Sequence, residues 1–352
     1  MTLGLHFIVP GPLDQLTGGY VYDAHMVRGL EGLGWSVRLH NLPGRFPEGD
    51  DAAREALSVA LGSFGDDERV VIDGLAMGGI PEAVELHGRR LRIVSLVHHP
   101  LAEETGLATS DRLRYADSER RALAPCAGVI VSSAFIARGL DAYGVSPERI
   151  RVVEPGTDPA RPAVGPGPNE PPLLLCVASV TPRKGHDVLV AALARLQGLD
   201  WNCVCAGSLD RDRAFAKSVL DGAQQAGLAT RVSFVGEREG EQLEALYQGA
   251  SLFVLASHYE GYGMVLTDAI ARGLPVVSTT GGAIPFTVPA AASVLAAPGD
   301  AAAFASALRS VLGGASPRRA ELAAAALRHA GRLPNWGAAS RTFADAIIEL
   351  TR

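Results

Sequence analysis

A segment rich in proline and glycine near the middle of the chain limits the possible folds most. Residues 159–172 hold six prolines and two glycines, a composition typical of a linker between domains. On each side of it, short apolar runs alternate with segments of helical character. Strands that alternate with helices form parallel sheets whose two faces are covered. The sequence therefore predicts an α/β protein with two domains, which occupy residues 1–158 and 173–334.

Each domain has its own set of predicted strands. They are residues 3–9, 36–40, 70–75, 92–98, 129–133 and 150–154 in the first domain, and 173–178, 204–206, 232–236 and 252–256 in the second. A further strand of the second domain is predicted to begin at Pro275. The first strand, a loop with glycines, a helix and a second strand follow one another as in a Rossmann-like unit. Residues 300–312 and 318–327 are predicted to form alanine-rich helices, and residues 336–350 a last helix.

The composition excludes several classes of protein. The chain of 352 residues has a net charge of −6 and a pI near 5.9, whereas nucleic-acid-binding proteins usually carry a basic excess. No apolar run reaches the roughly 18 residues of a membrane span, and no basic segment precedes residues 3–9 as in a signal peptide. The four cysteines lie in or beside apolar segments, which favours buried reduced thiols over a zinc site or disulfides. We therefore expect a cytoplasmic protein with no nucleic-acid partner and at most peripheral membrane contact.

The most informative stretch is residues 257–282, S-H-Y-E-G-Y-G-M-V-L-T-D-A-I-A-R-G-L-P-V-V-S-T-T-G-G. It follows a predicted buried strand, and Gly261 and Gly263 allow a sharp turn before a helix that begins near Gly263. Glu260 in the turn and Asp268 in the helix are eight residues apart, a separation of about 10 Å along a helix. That distance suits the two ends of an extended ligand better than acid–base catalysis on one bond. The alternative is that Glu260 only caps the helix and that Asp268 is solvated.

Three motifs in this stretch resemble the donor-binding signature of the retaining glycosyltransferases of family 4. They are E-G-Y-G at 260–263, A-R-G-L-P-V-V at 271–277 and T-T-G-G at 279–282. The family's R-x-x-x-x-K-G element keeps Lys184 here but has Ser179 at the arginine position, and Arg183 is the candidate replacement. Asp268 stands where the family has a second glutamate, and Phe286 stands where its G-G-x-P-E element ends in glutamate.

The resemblance implies the GT-B fold, in which two Rossmann-like domains have parallel sheets that face each other across a cleft. In such a protein, residues 1–158 form the acceptor-side domain and residues 173–334 bind the nucleotide sugar. Residues 335–352 form a helix that crosses back to the first domain. The implied enzyme is a retaining hexosyltransferase that uses a nucleoside-diphosphate-sugar donor and requires no metal or cofactor. Its acceptor is an unidentified small molecule, glycan or lipid.

The resemblance also implies roles for particular residues. Lys184, with Arg183 beside it, holds the diphosphate, and Glu260 holds hydroxyls of the sugar. His98 contacts the sugar from the first domain, although the resemblance leaves open which of His98 and its neighbour does so. Lys184, Glu260 and His98 are thus the expected catalytic residues, and no residue is expected to bind a metal. The other expected substrate-binding residues are Gly18, Gly19, His99, Gly261, Tyr262, Gly263, Met264, Val265 and, for the ribose, Asp268.

Two other functions stay open at this point. Ser179, Asp268 and Phe286 depart from the family pattern, which is compatible with a non-catalytic scaffold or sensor that binds nucleotide sugars on the same fold. An epimerase of the same fold is the second alternative. The run D-R-D at 210–212 has the form of a D-x-D metal motif, but it lies in a polar turn. We expect a solvated loop there rather than a metal site.

Overall fold

The computed structural model describes residues 3–167, 169–313 and 317–352, and its chain divides into two compact units. Unit 1 comprises Met1–Gly156 and Pro334–Arg352, and unit 2 comprises Thr157–Leu333. Each unit is built around one six-stranded sheet in which every strand pairs in parallel with its neighbours. The prediction of two Rossmann-like domains with parallel sheets is therefore confirmed.

The strands of unit 1 are short, and those at the centre of its sheet are buried along most of their length. They are β1 (Gly4–Pro10), β2 (Ser36–Leu42), β3 (Arg69–Asp73), β4 (Arg92–Val97), β5 (Gly128–Val131) and β6 (Ile150–Val152). Their order in the sheet is β2-β1-β3-β4-β5-β6. Because β3 and β4 are neighbours, the residues that follow their carboxyl ends lie side by side at one edge of the sheet.

Helices separate the strands of unit 1, as the sequence pattern predicts. They are α1 (Gly18–Gly32), α2 (Asp51–Ser63), α3 (Gly74–Met77), α4 (Glu82–His87), α5 (Thr109–Leu123) and α6 (Ala134–Gly139). The predicted strand 70–75 is wrong at its end, because the chain becomes helical at Gly74. The carboxylate of Asp73 accepts a hydrogen bond from the Leu75 N–H at 2.8 Å, which caps α3 and stops the strand.

Unit 2 repeats the pattern with a second sheet. Its strands are β7 (Leu173–Val177), β8 (Asn202–Ala206), β9 (Val232–Gly236), β10 (Leu252–Val254), β11 (Val276–Thr279) and β12 (Ser293–Ala296), in the order β12-β11-β10-β7-β8-β9. Its helices are α7 (His186–Ala194), α8 (Arg213–Gln225), α9 (Gly240–Gly249), α10 (Met264–Ala271), α11 (Ile284–Thr287), α12 (Ala301–Leu312) and α13 (Pro317–Ala330). The strands β11, β10 and β7 are adjacent, so the loops that follow them share one edge of the sheet.

The predicted linker 159–172 contains no helix or strand in its described part, and residue 168 lies outside the described residues. Backbone hydrogen bonds hold this segment on unit 2. The Ala163 N–H donates to the Arg272 carbonyl at 2.8 Å, and the N–H groups of Val164 and Gly165 both donate to the Gln248 carbonyl at 3.0 Å.

The last helix, α14 (Trp336–Leu350), belongs to unit 1 and packs on α1. The two helices come very close at Gly29, where a Cβ atom would lie 1.9 Å from the Ser340 hydroxyl oxygen. Phe343 of α14 is fully buried, and its ring centroid lies 6.4 Å from that of Phe7 in β1. Among the described residues, no helix has both the length and the apolar character that crossing a membrane would require.

Candidate active site

Three loops at the carboxyl edge of the unit 2 sheet carry most of the predicted site residues. The loop after β7 contains Arg183 and Lys184, the loop after β10 contains Glu260, and the loop after β11 contains the Gly281-Gly282 pair. Adjacent parallel strands bring these loops together, and ligands of open α/β sheets bind at such edges.

An ion pair joins the first two loops. The ammonium nitrogen of Lys184 lies 2.6 Å from Glu260 Oε1, and the Ser257 hydroxyl donates to the same oxygen at 2.6 Å. Arg183 Nη1 lies 3.6 Å from Glu260 Oε2. The side chain of Glu260 is 6% exposed, while those of Lys184 and Arg183 are 18% and 24% exposed. The structure therefore brings Lys184, Arg183 and Glu260 to one place, with the acid buried and the two cations nearer the solvent.

The charges of this cluster depend on one another. Burial alone would raise the pKa of Glu260, but the positive charges of Lys184 and Arg183 outweigh burial and lower that pKa below its usual value. Burial lowers the pKa of Lys184, and the carboxylate of Glu260 offsets only part of this effect. Glu260 is thus an anion at neutral pH, and its negative charge favours the charged form of Lys184.

Two glycines allow the loops to touch backbone to backbone. Gly185 has a φ of +64°, and a Cβ atom there would lie 2.1 Å from the Ala256 carbonyl oxygen. Gly282 has a φ of +61°, and a Cβ atom there would lie 2.3 Å from the Glu260 carbonyl oxygen. That same carbonyl accepts a hydrogen bond from the Ala283 N–H at 2.8 Å. Side chains at these two positions would push apart the loops that hold the ion pair.

The helix α10 begins directly after the Glu260 turn. Gly263 caps it with a φ of +93°, and the helix starts at Met264 and continues through Val265. The first amides of a helix have no partner within the helix and favour anions. Gly261 and Tyr262 are buried in the turn before it. The structure thus places these five predicted residues between Glu260 and the body of α10.

Asp268 lies one turn further along α10, next to a network of charged residues. Arg272 donates from its Nε to Glu244 Oε2 at 3.0 Å, and from Nη1 to the backbone carbonyl of Asp268 at 2.9 Å. Burial raises the pKa of Asp268 to about 6, because the positive charge of Arg272 only partly opposes it and the carboxylates of Asp158 and Glu244 add to it. Asp268 is therefore not a simple solvated surface acid.

In unit 1, the structure places His98 directly after β4, with its ring against α1. His98 Nε2 lies 2.8 Å from Asp23 Oδ1, and a Cβ atom at Gly19 would lie 3.1 Å from His98 Cδ2. Gly18 and Gly19 form the first turn of α1, as the predicted position after the first strand requires. His99 points elsewhere, since its Nε2 lies 3.6 Å from Glu104 Oε2.

Sequence reasoning missed two acids that surround His98. Asp23 is fully buried in α1, four residues after Gly19, and Asp73 is 4% exposed at the end of β3. Burial alone would lower the pKa of His98, but its contact with Asp23 raises that pKa above the usual value. Asp73 offered a signal in the sequence, because it is a charged residue directly after the apolar run V-V-I at 70–72, and ligands bind at the carboxyl ends of such strands.

Among residues 3–167, 169–313 and 317–352, two groups of buried or half-buried side chains have ligand atoms within 4.8 Å of one another and could hold a metal ion. They are Asp23, Asp73 and His98 in unit 1, and Cys176, His186 and Cys205 in unit 2. Hydrogen bonding with Cys205 and burial raise the pKa of Cys176 well above its usual value, so this thiol is protonated when no metal is bound.

The D-R-D run at 210–212 is held by local structure. Asp212 caps α8 by accepting a hydrogen bond from the Phe215 N–H at 2.9 Å, and Asp210 pairs with Arg213 at 2.8 Å. Both contacts are those of a turn before a helix.

Models of two glycosyltransferase families match successive parts of the chain. The model described as Glycosyltransferase Family 4 matches residues 74–161, and the model described as Glycosyl transferases group 1 matches residues 160–329. Among curated proteins, the D-inositol 3-phosphate glycosyltransferase of Salinispora tropica is 32% identical in an alignment of 231 residues, and the match covers 59% of this chain and 47% of that protein. The chain thus spans about half the length of the curated relatives it matches.

Solved structures share the fold over nearly the whole chain. The sucrose-phosphate synthase of Thermosynechococcus elongatus has a TM-score of 0.82 and 20% identity, and the match covers 98% of both chains. Anabaena HepE, in complex with UDP and glucose, has a TM-score of 0.74 and 17% identity, and the match covers 97% of this chain and 98% of that one. These likenesses, with the two parallel sheets, confirm the predicted two-domain GT-B fold.

Proposed function

This chain belongs to glycosyltransferase family 4, and we propose that it transfers a sugar from a nucleoside-diphosphate-sugar donor to an acceptor hydroxyl with retention of the anomeric configuration. The observation that carries this proposal is the ion pair between Lys184 and Glu260 at 2.6 Å. It joins a cation suited to the leaving diphosphate and an acid suited to sugar hydroxyls at one edge of one sheet. The two ends of the bond to be broken need these two kinds of group.

The leaving group determines what the protein must supply. When the bond between the anomeric carbon and the diphosphate breaks, negative charge develops on the phosphate oxygens, and preorganised donors lower the barrier most. Lys184, Arg183 and the first amides of α10 are the groups proposed to receive that charge. Glu260 and the turn at Gly261 would hold the sugar hydroxyls.

Retention follows if the acceptor attacks from the side of the leaving group. In this proposal a bond forms between the acceptor oxygen and the anomeric carbon as the bond to the diphosphate breaks. The acceptor's proton passes to a phosphate oxygen of the leaving group, so no protein nucleophile and no metal is needed. Asp268 binds the ribose, and its role is the same in the ground state and in the transition state.

The comparisons suggest where to begin with substrates. The HepE structure contains UDP and glucose, and the curated relatives are named for a D-inositol 3-phosphate acceptor. A UDP-hexose is therefore the first donor to test, and inositol phosphates are the first acceptors. The likeness to HepE is one of fold alone, so GDP-, ADP- and CDP-sugars belong in the same screen.

A thermal-shift screen against these four donor classes is the first test, because a ligand that binds the folded state raises its stability in proportion to the logarithm of ligand concentration over Kd. The donor that binds is then incubated with acceptors, and the anomeric configuration of the product is read by NMR, with and without EDTA. We expect a retained configuration and a rate that EDTA does not change.

Other outcomes point to other functions. Binding without hydrolysis or transfer would favour the non-catalytic scaffold, which the departures at Ser179 and Phe286 motivate; Phe286 is 63% exposed. An inverted product, or activity that EDTA abolishes and Mg²⁺ restores, would refute the mechanism.

A further inference from the structure

Three titratable side chains from separate parts of unit 1, Asp23, Asp73 and His98, lie close together. Carboxylate oxygens of Asp23 and Asp73 and a ring nitrogen of His98 all lie within 4.8 Å of one another. Asp23 is fully buried and Asp73 is 4% exposed, whereas the His98 side chain is 18% exposed. The two acids therefore form the inner side of the cluster, and the ring forms its outer side.

The hydrogen bonds of the cluster leave one acceptor without a donor. Asp23 Oδ1 lies 2.8 Å from His98 Nε2, and since an ionised carboxylate only accepts, Nε2 carries the hydrogen. Asp73 Oδ1 accepts from the Leu75 N–H. Asp23 Oδ2 is buried, and no hydrogen-bond donor for it exists among residues 3–167, 169–313 and 317–352. A buried carboxylate oxygen without a hydrogen-bond donor destabilises the folded state unless a neighbouring group offers it a proton.

Asp73 can supply that proton. Two buried carboxyls at this distance cannot both ionise without strong repulsion. Burial, reinforced by the negative charge of Asp23, raises the pKa of Asp73 to about 7, although the charge of His98 opposes this. Because Oδ1 of Asp73 accepts from the Leu75 N–H, a protonated Asp73 can donate from Oδ2. The acceptor for that hydrogen is Oδ2 of Asp23.

We propose that Asp23 and Asp73 are positioning residues for His98, a pair of buried carboxyls that share one proton and present a single negative charge to the Nε2–H of the ring. The pair fixes the tautomer and orientation of His98, so that Nδ1 is the ring nitrogen left for a ligand. Insofar as it concerns turnover, this inference rests on the proposed function.

The other titratable groups around the ring do not compete for this role. Tyr22 packs edge-on against His98 with ring centroids 5.1 Å apart, and its hydroxyl donates to the Val153 carbonyl. Burial, with the charge of Asp23, raises the pKa of Tyr22 well above its usual value, so it stays neutral. His99 is engaged with Glu104.

The first test follows the His98 ring by NMR as pH is varied, which requires no substrate. In the wild-type chain we expect two inflections, one from the ring and one near pH 7 from Asp73. Asp73→Asn mimics the protonated acid, and it should remove the second inflection and leave the His98 pKa close to that of wild type. Asp23→Asn removes the charge and the hydrogen bond beside the ring and should lower the His98 pKa, although Asp73, which then ionises, keeps part of the effect.

Glu119→Gln is a matched control. Glu119 is also buried in unit 1, and burial raises its pKa to about 7 as well, but it accepts from the backbone of Leu101 rather than contacting His98. We expect this variant to leave both inflections of His98 unchanged. A single inflection in the wild-type chain, or a second one that survives Asp73→Asn, would overturn the shared proton.

The proton itself can be observed by infrared spectroscopy in a background that carries Glu119→Gln and Asp268→Asn, because burial raises the pKa of these two acids as well. We expect the carbonyl stretch of a protonated carboxylic acid below pH 7, its loss above pH 7, and its absence after Asp73→Asn. If that band is missing in the background variant at low pH, Asp73 does not hold the proton.

Turnover and metal binding complete the test. Asp23→Asn should lower kcat more than it raises donor KM, and Asp73→Asn should remove the inflection near pH 7 from the rate profile. If no donor supports transfer, the proposed function fails while the NMR and infrared results still decide the carboxyl pair. Stoichiometric binding of Zn²⁺ or Mn²⁺ that both variants abolish would make the cluster a metal site and overturn the proposal.

Discussion

Replacing Lys184 with methionine tests the ion pair at the centre of the candidate site. Methionine keeps much of the length of the side chain but removes its charge. Glu260, which is 6% exposed, would then retain the Ser257 hydroxyl at 2.6 Å and the Arg183 guanidinium at 3.6 Å, but it would lose its direct cation. The variant thus leaves a buried carboxylate with incomplete compensation.

The magnitude follows from that uncompensated charge. Removing one member of a buried ion pair costs about 3–5 kcal/mol of unfolding free energy, and we expect the lower end of that range because Arg183 remains close. Replacing both members should restore much of the loss, since Lys184→Met with Glu260→Gln leaves no unpaired charge. Turnover of Lys184→Met should fall by roughly 10²–10³, the effect of removing one preorganised group that stabilises the transition state.

Unfolding in urea, followed through Trp201, measures this effect in unit 2. Trp201 is buried in unit 2, and Trp35 and Trp336, the other two tryptophans, lie in unit 1 and are replaced with phenylalanine in the reference chain. Lys217→Met is the control, because its pair with Asp221 is exposed and should contribute less than about 1 kcal/mol. Two results would contradict this reasoning: Lys184→Met unfolds at the same urea concentration as its reference, or the double variant is less stable than Lys184→Met alone. Either would mean that Lys184 does not compensate the buried charge of Glu260.

Four further predictions concern the site and its surroundings. Glu260→Gln should mainly lower kcat. Asp268→Asn should raise donor KM roughly tenfold to a hundredfold, because one charge-assisted hydrogen bond is worth about 1.5–3 kcal/mol. Steady-state kinetics of both variants tests whether Glu260 binds the sugar and Asp268 binds the ribose. In the wild-type chain donor KM should rise as pH falls below about 6, where Asp268 becomes protonated, and Asp268→Asn should abolish that rise. Burial in the folded state raises the pKa of Glu119 from 4.5 to about 7. The protonated acid therefore stabilises the folded state at low pH, and this contribution is lost as pH rises from about 4.5 to about 7. Glu119→Gln should accordingly flatten the pH dependence of the unfolding free energy measured in urea. Gly282→Ala should destabilise the chain by more than about 1 kcal/mol, and more than Gly227→Ala does, since both have positive φ but only Gly282 faces a backbone atom at 2.3 Å; equal losses would mean that the contact with Glu260 does not matter.

Local patterns were enough to predict most of the fold. Hydrophobic runs placed the strands of both sheets within a few residues, and the predicted last helix, 336–350, has the bounds of α14. The end of β3 was wrong because Asp73 caps a helix, a choice made by one side chain rather than by hydrophobicity. β12 was not predicted, since Ser293–Ala296 is short and has no strong apolar run.

The site shows where sequence reasoning stops. Motifs identified Lys184 and Glu260 separately, but their pairing depends on the adjacency of β7 and β10, which no local pattern encodes. Asp23 and Asp73 are separated from His98 by 75 and 25 residues, and they reach it only because α1 packs beside neighbouring strands. A burial environment that shifts a pKa is a property of the assembled sheet and helix, so it cannot be derived from spacing.

The position of α14 has a consequence for how the chain is made. Unit 1 consists of two stretches of sequence, and all of unit 2 is translated between them. As the ribosome releases the chain, unit 2 can therefore complete its sheet while unit 1 still exposes the face of α1 and β1 that Phe343 will cover. The unit that begins first is thus finished last, and its apolar face stays uncovered until α14 has been synthesised.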